Sequence, residues 1–128
     1  MKIENIKFKA KKTLDGKWIK GDFVHHKDSD NVWITDYKNQ LTSPVNPSTV
    51  CQFTGLTDYK GNEIWEGDVL LDTDSDSQYT VMYSDYGGAF FIRKNGTVNE
   101  DMYLFELSDV DKCIAFIEVI GNKFDKEK

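Results

Sequence analysis

Short stretches of alternating apolar and polar residues, separated by turn-forming residues, recur along nearly the whole 128-residue chain. A period of two puts successive side chains on opposite faces of a strand, so this pattern predicts an all-β fold. Ile3–Ala10 places Ile6, Phe8 and Ala10 on one face, and Asp15-Gly16 follows as a tight turn. Lys17–His26 reads as a second strand that Gly21 interrupts with a bulge or bend. After a turn at Lys27–Asn31, Val32–Tyr37 is a third strand with Val32 and Ile34 on one face. Together these three form an antiparallel meander.

Lys38–Ser48 carries both prolines, Pro44 and Pro47, among Asn and Ser residues, and reads as an extended connector. The predicted organisation is therefore an N-terminal meander with its connector over residues 1–47 and a second part over 48–128, the two forming separate domains or one integrated domain. Strands are expected there at Val50–Thr54, Ile64–Asp72, Tyr79–Tyr83, Ala89–Arg93 and Cys113–Ile120. Asn95-Gly96 is the strongest hairpin signal in the chain. Asn99–Asp111 is the one helix candidate, with an irregular segment as the alternative. A further pattern occurs twice: Gly16-Lys-Trp-Ile-Lys-Gly21-Asp22 is echoed by Gly61-Asn-Glu-Ile-Trp-Glu-Gly67-Asp68 with one residue inserted. Both duplication and independent use of a turn, bend and strand account for it.

Charge divides the chain more sharply than its total of −6 implies. Residues 1–50 hold nine Lys and six acids, a balance of +3, whereas residues 51–128 hold seven Lys or Arg and sixteen acids, a balance of −9. The acidic total argues against tight non-specific duplex binding. The split predicts self-association or a protein partner, the basic strands of one copy meeting the acidic half of another, in a contact that salt loosens. Apolar runs are too short to span a membrane, the first residues carry charges where a signal peptide is apolar, and two cysteines form no disulfide framework. These features predict a cytoplasmic protein.

Candidate chemistry is sparse. Asp72-Thr-Asp-Ser-Asp-Ser resembles the opening of a calcium loop but has Ser77 where the sharp turn needs Gly and Tyr83 where a bidentate Glu belongs. His25 and His26 are adjacent, so on a strand they point to opposite faces and do not share a metal. Cys51 and Cys113 sit in apolar company without a neighbouring base. Glu66 and Asp68 flank Gly67, and at i and i+2 on a strand they share a face; they are the one carboxylate pair whose role stays open, against a backbone-bonding role in a turn. No phosphate loop, dinucleotide fingerprint or nucleophile elbow is present, so no catalytic residue, cofactor, metal or small-molecule substrate is assigned and the protein is expected not to be an enzyme. Lys7, Lys9, Lys11, Lys12 and Trp18 offer cations beside a ring and are the candidate contacts if the chain binds single-stranded nucleic acid.

The segment Gly55-Leu-Thr-Asp58-Tyr-Lys-Gly61-Asn-Glu-Ile64-Trp-Glu66-Gly67-Asp68-Val69 resembles the central motif of the YopX family, proteins of phages and prophages of bacteria. Val50–Thr54, Ile6–Ala10 and Glu118–Asn122 are similar to the family's lead-in, start and closing strand, although Lys9 and Lys11 stand where an Arg and a Trp are common. The resemblance implies a mostly β protein whose second part is a small Src-homology-3-like barrel or roll, with no established activity. It implies structural roles for Gly55, Gly61 and Gly67 in backbone conformation, for Asp58 in the turn and for Leu56 and Ile64 in the core. The function expected is that of a phage accessory protein that binds a protein partner or itself, with nucleic-acid association as the alternative.

Overall fold

A computed structural model describes residues 2–97, 101–104, 113–114 and 116–125. The chain is all-β, and Ile3–Asn5 and Pro47–Thr49 form short 3-10 turns. It divides into two compact units, one running up to Phe53 and the other spanning Thr54–Asp125. The division falls inside a strand and not in the Lys38–Ser48 segment. Most of that segment is itself structured: Thr42–Val45 is a strand paired with Val32–Asp36 on one side and, on the other, bridged by Val45 to Lys12, with Pro44 O accepting the Thr13 amide at 3.1 Å.

The first unit is an antiparallel sheet of β1 (Phe8–Lys11), β2 (Trp18–His25), β3 (Val32–Asp36) and β4 (Thr42–Val45), joined on the far side of β1 by the opening residues of β5 (Cys51–Asp58). Cross-strand pairs Ala10↔Ile19, Phe23↔Ile34 and Val32↔Val45 place the apolar alternation on one face. Ala10, Ile19, Val32, Ile34 and Val45 are buried there, with Phe8, Phe23 and Val50 packed against them. Each Val or Ile among them contributes about 1.5–3 kcal/mol when fully buried. Ile6, expected on this face, precedes the strand and is exposed.

Gly21 does not mark a bulge. The pairing runs through it without a register shift, to Phe8 on one side and Asp36 on the other. What demands glycine is proximity: a Cβ at this position would sit 1.7 Å from the Thr35 carbonyl oxygen.

The second unit contains the rest of β5, β6 (Glu63–Trp65), β7 (Asp68–Asp72), β8 (Gln78–Ser84), β9 (Ala89–Lys94), β10 (Asp101–Tyr103), β11 (Cys113–Ile114) and β12 (Ile117–Asn122). Five strands form a sheet in the order β10-β9-β8-β7-β12, while β6 and β11 pair with β5, the latter in parallel. This sheet stays open, so the barrel alternative gives way to a roll-like arrangement without closure. Its inner face carries Leu70, Val81, Ile92, Leu104 and Ile117, covered by Leu56 and Ile64 from β5 and β6.

One turn recurs. In the connections opening at Lys12, Asp36, Asp72 and Ser84, the amide four residues on bonds back to the first residue's carbonyl at 2.8–2.9 Å. The donor is left-handed each time: Gly16, Gln40, Asp76 and Gly88, with φ between 59° and 71°. Asp36 and Asp72 each accept an amide two residues ahead through Oδ1, and Ser84 accepts that of Gly87 through Oγ. The acidic loop after β7 is thus one copy of a general hairpin connection, its Asp72 carboxylate oxygen taken up by the amides of Asp74 and Ser75. Asn95-Gly96 turns the chain as expected, but β9 and β10 pair only from Arg93↔Asp101, so the loop is longer than two residues. Gly96 alone of the two has a positive φ, whereas the tight two-residue turn needs both. Of the helix candidate Asn99–Asp111, residues 99, 100 and 105–111 lie outside the described residues, and Asp101–Tyr103 is strand.

Candidate functional site

Three places compete as the functional site: the central glycine-rich motif, the basic N-terminal strand and the outward face of the five-stranded sheet.

In the motif, Asp58 ends β5 and closes a tight turn, its amide donating to Asn62 O and the Gly61 amide donating to its carbonyl. The Asp58 side chain is fully buried. Oδ1 accepts from the amides of Lys60 (2.9 Å) and Asn62 (2.8 Å), and Oδ2 from Asn62 Nδ2 (3.1 Å) and the Val119 amide (3.0 Å). Burial pushes this carboxyl up, but the amides of Val119, Asn62 and Lys60 and the Asn62 side chain outweigh it and hold it below the usual carboxylate range. The carboxylate is a clamp between the turn and β12, with its lone pairs spent on the protein itself.

Asp68 is the second clamp. Its Oδ2 accepts the Trp65 amide at 2.7 Å and its Oδ1 accepts Asn122 Nδ2 at 2.9 Å. Asn122 also donates to the Glu66 carbonyl at 3.2 Å and accepts the Phe124 amide at 2.9 Å. Gly67, at φ +84°, turns the chain between β6 and β7, and its amide and carbonyl bond Val81 O and Lys123 N. A side chain there would be strained by the left-handed backbone and crowded by Asn122, whose Nδ2 would lie 3.2 Å from the added Cβ. Glu66 and Asp68 therefore do not share a strand face: Glu66 lies in the turn, and Asp68 opens β7 with its carboxylate buried. Gly55 and Gly61 also have positive φ, and Leu56 and Ile64 are core.

The N-terminal lysines are held against rings. Lys9 Nζ lies 4.5 Å and Lys11 Nζ 5.5 Å from the Trp18 ring centroid, and Lys7 Nζ 4.6 Å from that of Phe53. Lys11 is buried, its backbone amide bonded to Thr49 Oγ1, and Lys12 pairs with Asp15 at 3.4 Å. Of the histidines, His25 Nε2 is 2.7 Å from Ser29 O and His26 packs on Trp33. Among the described residues no cluster of three or more His, Cys, Asp or Glu side chains is placed to hold a metal, and no helix is long and apolar enough to cross a membrane.

Residues 7–127 match the profile of the YopX protein family. The chain belongs to the YopX family. No curated protein matches it. In this YopX protein the glycines of the central motif and Asp58 serve its architecture, and Asp68 joins them.

The sheet's outward face is different in kind. Strand register places Val69, Thr80, Arg93 and Asp101 in one row and Met82, Phe91 and Tyr103 in the next. Arg93 binds Asp101 with both arms, Nε to Oδ1 at 2.7 Å and Nη2 to Oδ2 at 3.0 Å, and the guanidinium carbon lies 5.6 Å from the Phe91 ring centroid. The shared hydrogen bonds push Arg93 up and Asp101 down, so both stay charged. A groove of about 340 Å³ runs between Ser84, Phe91, Arg93, Asp101, Met102 and Tyr103. Tyr103 is 41% and Met102 45% exposed, and Tyr86 on the neighbouring turn is fully so. The Tyr103 hydroxyl lies against the bare backbone of Gly87, where a Cβ would come within 2.9 Å of it. None of these residues stands out in the sequence as a candidate. The signal was the run Ala89-Phe-Phe-Ile: adjacent phenylalanines on a strand face opposite ways, so only one can enter the core.

Proposed function

We propose that this YopX protein is a non-enzymatic accessory protein of a phage or prophage that works in the bacterial cytoplasm by binding protein through the outward face of β8–β10. The supporting observation is the row of half-buried Met82 and Phe91 and exposed Tyr103 beside the Arg93–Asp101 pair. Tyr, Phe, Met and Arg are the side chains enriched at the centres of protein interfaces, where rigid rings bring large contact area at little entropic cost. The groove offers rings, the Met102 thioether and one neutralised ion pair, which is equipment for recognition. A photo-crosslinking residue at Phe91 is expected to capture protein in cells carrying the phage, and one at Tyr37, exposed in the other unit, is not. Equal capture at both positions, or at neither, sinks the reading.

The nucleic-acid reading draws on Lys9 and Lys20 standing directly opposite one another on β1 and β2, with Lys11 opposite Trp18. It is weakened by the burial of Lys11. Single-stranded DNA binding that falls steeply with salt and is lost on Lys9→Gln with Lys20→Gln is the result that favours it.

A further inference from the structure

Asn95 is the one asparagine in the chain that a glycine follows. The two residues fill the middle of a turn that the Thr97 amide closes on Lys94 O at 3.2 Å. Asn95 is tethered at both its backbone and its side chain: its amide donates to Gln78 O at 2.8 Å, and its Oδ1 accepts the Thr80 hydroxyl at 2.8 Å. Both residues are exposed, and nothing lies within 4 Å of where a Gly96 Cβ would stand. The Gly96 amide donates no hydrogen bond among the described residues. We infer that Asn95 is a self-modifying site: the Gly96 backbone nitrogen attacks the Asn95 side-chain carbonyl, assisted by the Thr80 hydroxyl, and converts the residue to isoaspartate and aspartate without an enzyme.

In the attack a bond forms between Gly96 N and Asn95 Cγ. Negative charge develops on Oδ1, where the Thr80 hydroxyl already donates. The Cγ–Nδ2 bond then breaks, and its nitrogen leaves as ammonia with the proton that the Gly96 amide gives up. A five-membered imide remains. Water opens it at Cγ to give aspartate, or at the main-chain carbonyl to give isoaspartate, whose backbone runs on through the side chain. The balance is one water in and one ammonia out, with nothing oxidised or reduced. The modification adds a negative charge next to Lys94. As isoaspartate it also adds a backbone carbon to the connection leading into β10, whose register sets Arg93 opposite Asp101.

The fold shuts the other sites where the same chemistry could start. Asp15-Gly16 has the same spacing, but the Gly16 amide is committed to Lys12 O at 2.9 Å and Asp15 Oδ1 accepts the Lys17 amide at 3.0 Å. The Lys17 amide holds the Asp15 carboxyl below its usual range, and an ionised carboxylate resists attack. Asn46 precedes a proline, which has no N–H. Asn122 is buried with its side chain bonded to Asp68, Glu66 and Phe124, and the amide after it is donated to Gly67 O.

Incubating the purified chain for weeks at neutral and at mildly alkaline pH, followed by peptide mass spectrometry, tests this. The peptide holding Asn95 is expected to gain about one dalton and to split into two products by retention time. The gain is expected to be faster at the higher pH, because the Gly96 amide must shed its proton. The peptide holding Asp15 is expected to remain a single species. Asn95→Gln is expected to stop the gain, since its longer side chain closes a larger ring far more slowly. Thr80→Val keeps the shape of the side chain and removes the donor, and the rate is expected to fall about threefold to tenfold, the worth of one exposed hydrogen bond. Thr80→Ser is expected to restore it. Circular dichroism separates a slowed reaction from a lost fold in each variant. No gain at Asn95 overturns the inference, as does a Thr80→Val variant that reacts as fast as the original or faster. So does a Thr80→Ser variant as slow as Thr80→Val, or an Asp15 peptide that splits as quickly as the Asn95 peptide.

Discussion

The two units of the chain hold their strands together by different means. In the first, each strand from β1 to β4 is paired with its neighbour in sequence through a short hairpin, and the buried contacts are aliphatic. In the second, two buried carboxylates reach across the sequence: Asp58 to the Val119 amide, 61 residues on, and Asp68 to Asn122, 54 residues on. Register between consecutive strands of the first unit follows turns and alternation, and backbone groups alone, with the Thr49 hydroxyl on the Lys11 amide, tie its ends together. In the second it is pinned by polar clamps whose loss leaves buried donors without partners, a costlier defect than a shortened side chain. Carboxylate burial is tolerated because every oxygen is occupied by amides.

The contrast predicts where each unit breaks. The largest effect is expected from Gly21→Ala, which drives a Cβ into the Thr35 carbonyl and forces β2 from β3. A loss of about 4 kcal/mol is expected, at the upper end of single-residue effects. Chemical denaturation measures it, and hydrogen exchange should show lost protection at Val32–Asp36. An alanine variant within 1 kcal/mol of the original, on the order of ordinary surface changes, means that this sheet has a slack the geometry does not show.

Asp58→Asn is expected to cost about 2–3 kcal/mol, since one acceptor oxygen becomes a donor facing amide donors. The pH response sharpens the comparison. Because Asp58 is held below its ordinary range in the folded protein, its contribution is present above the unfolded value of about 3.9 and is lost as pH falls through the lower folded value. Stability of the original chain should therefore fall below about pH 4 more steeply than that of Asp58→Asn. Parallel acid unfolding curves for the two proteins contradict the clamp.

The smallest effect is a gain. Gln40 holds the left-handed position of its turn at φ 59°, where Gly16 and Gly88 stand in the equivalent turns. Gln40→Gly relieves a conformational cost of about 1–2 kcal/mol and adds an unfolded-chain entropy of about 0.5–1 kcal/mol. A net stabilisation of about 0.5 kcal/mol is expected, seen as a rise in Tm.

What the sequence disclosed follows the same division. The meander could be read strand by strand, because Phe8, Ala10, Ile19, Val32 and Ile34 alternate and Asp15-Gly16 marks a turn. Gly21 stood out as unusual, but a bulge and a close approach leave the same trace in one dimension. Asp58 was legible as a turn residue from Gly61 three positions on, yet its bond to Val119 was not, since no local pattern reports an amide 61 residues away. Glu66 and Asp68 looked alike as flanking acids; only the arrival of Asn122 beside Gly67 separates a turn residue from a buried acceptor. The outward Arg93–Asp101 and Phe91–Tyr103 pairs depend on β9–β10 register, which the Asn95-Gly96 signal placed too tightly.

The clamps at Asp58 and Asp68 also set an order of events during synthesis. Chains emerge from the ribosome N-terminus first, at about 5–20 residues per second. The meander can close as soon as β4 has emerged, because its pairings are local. The five-stranded sheet cannot, because β7 waits for β12, and Asp58 waits for Val119, until Ile117–Asn122 have been made. During that interval Val69, Leu70 and Leu71 line an unpaired edge, the kind of template on which neighbouring nascent chains pair wrongly. A stop codon just before Ile117 would leave that edge open for the life of the polypeptide, so truncation there should yield an insoluble chain even though the first unit retains all of its own hairpins.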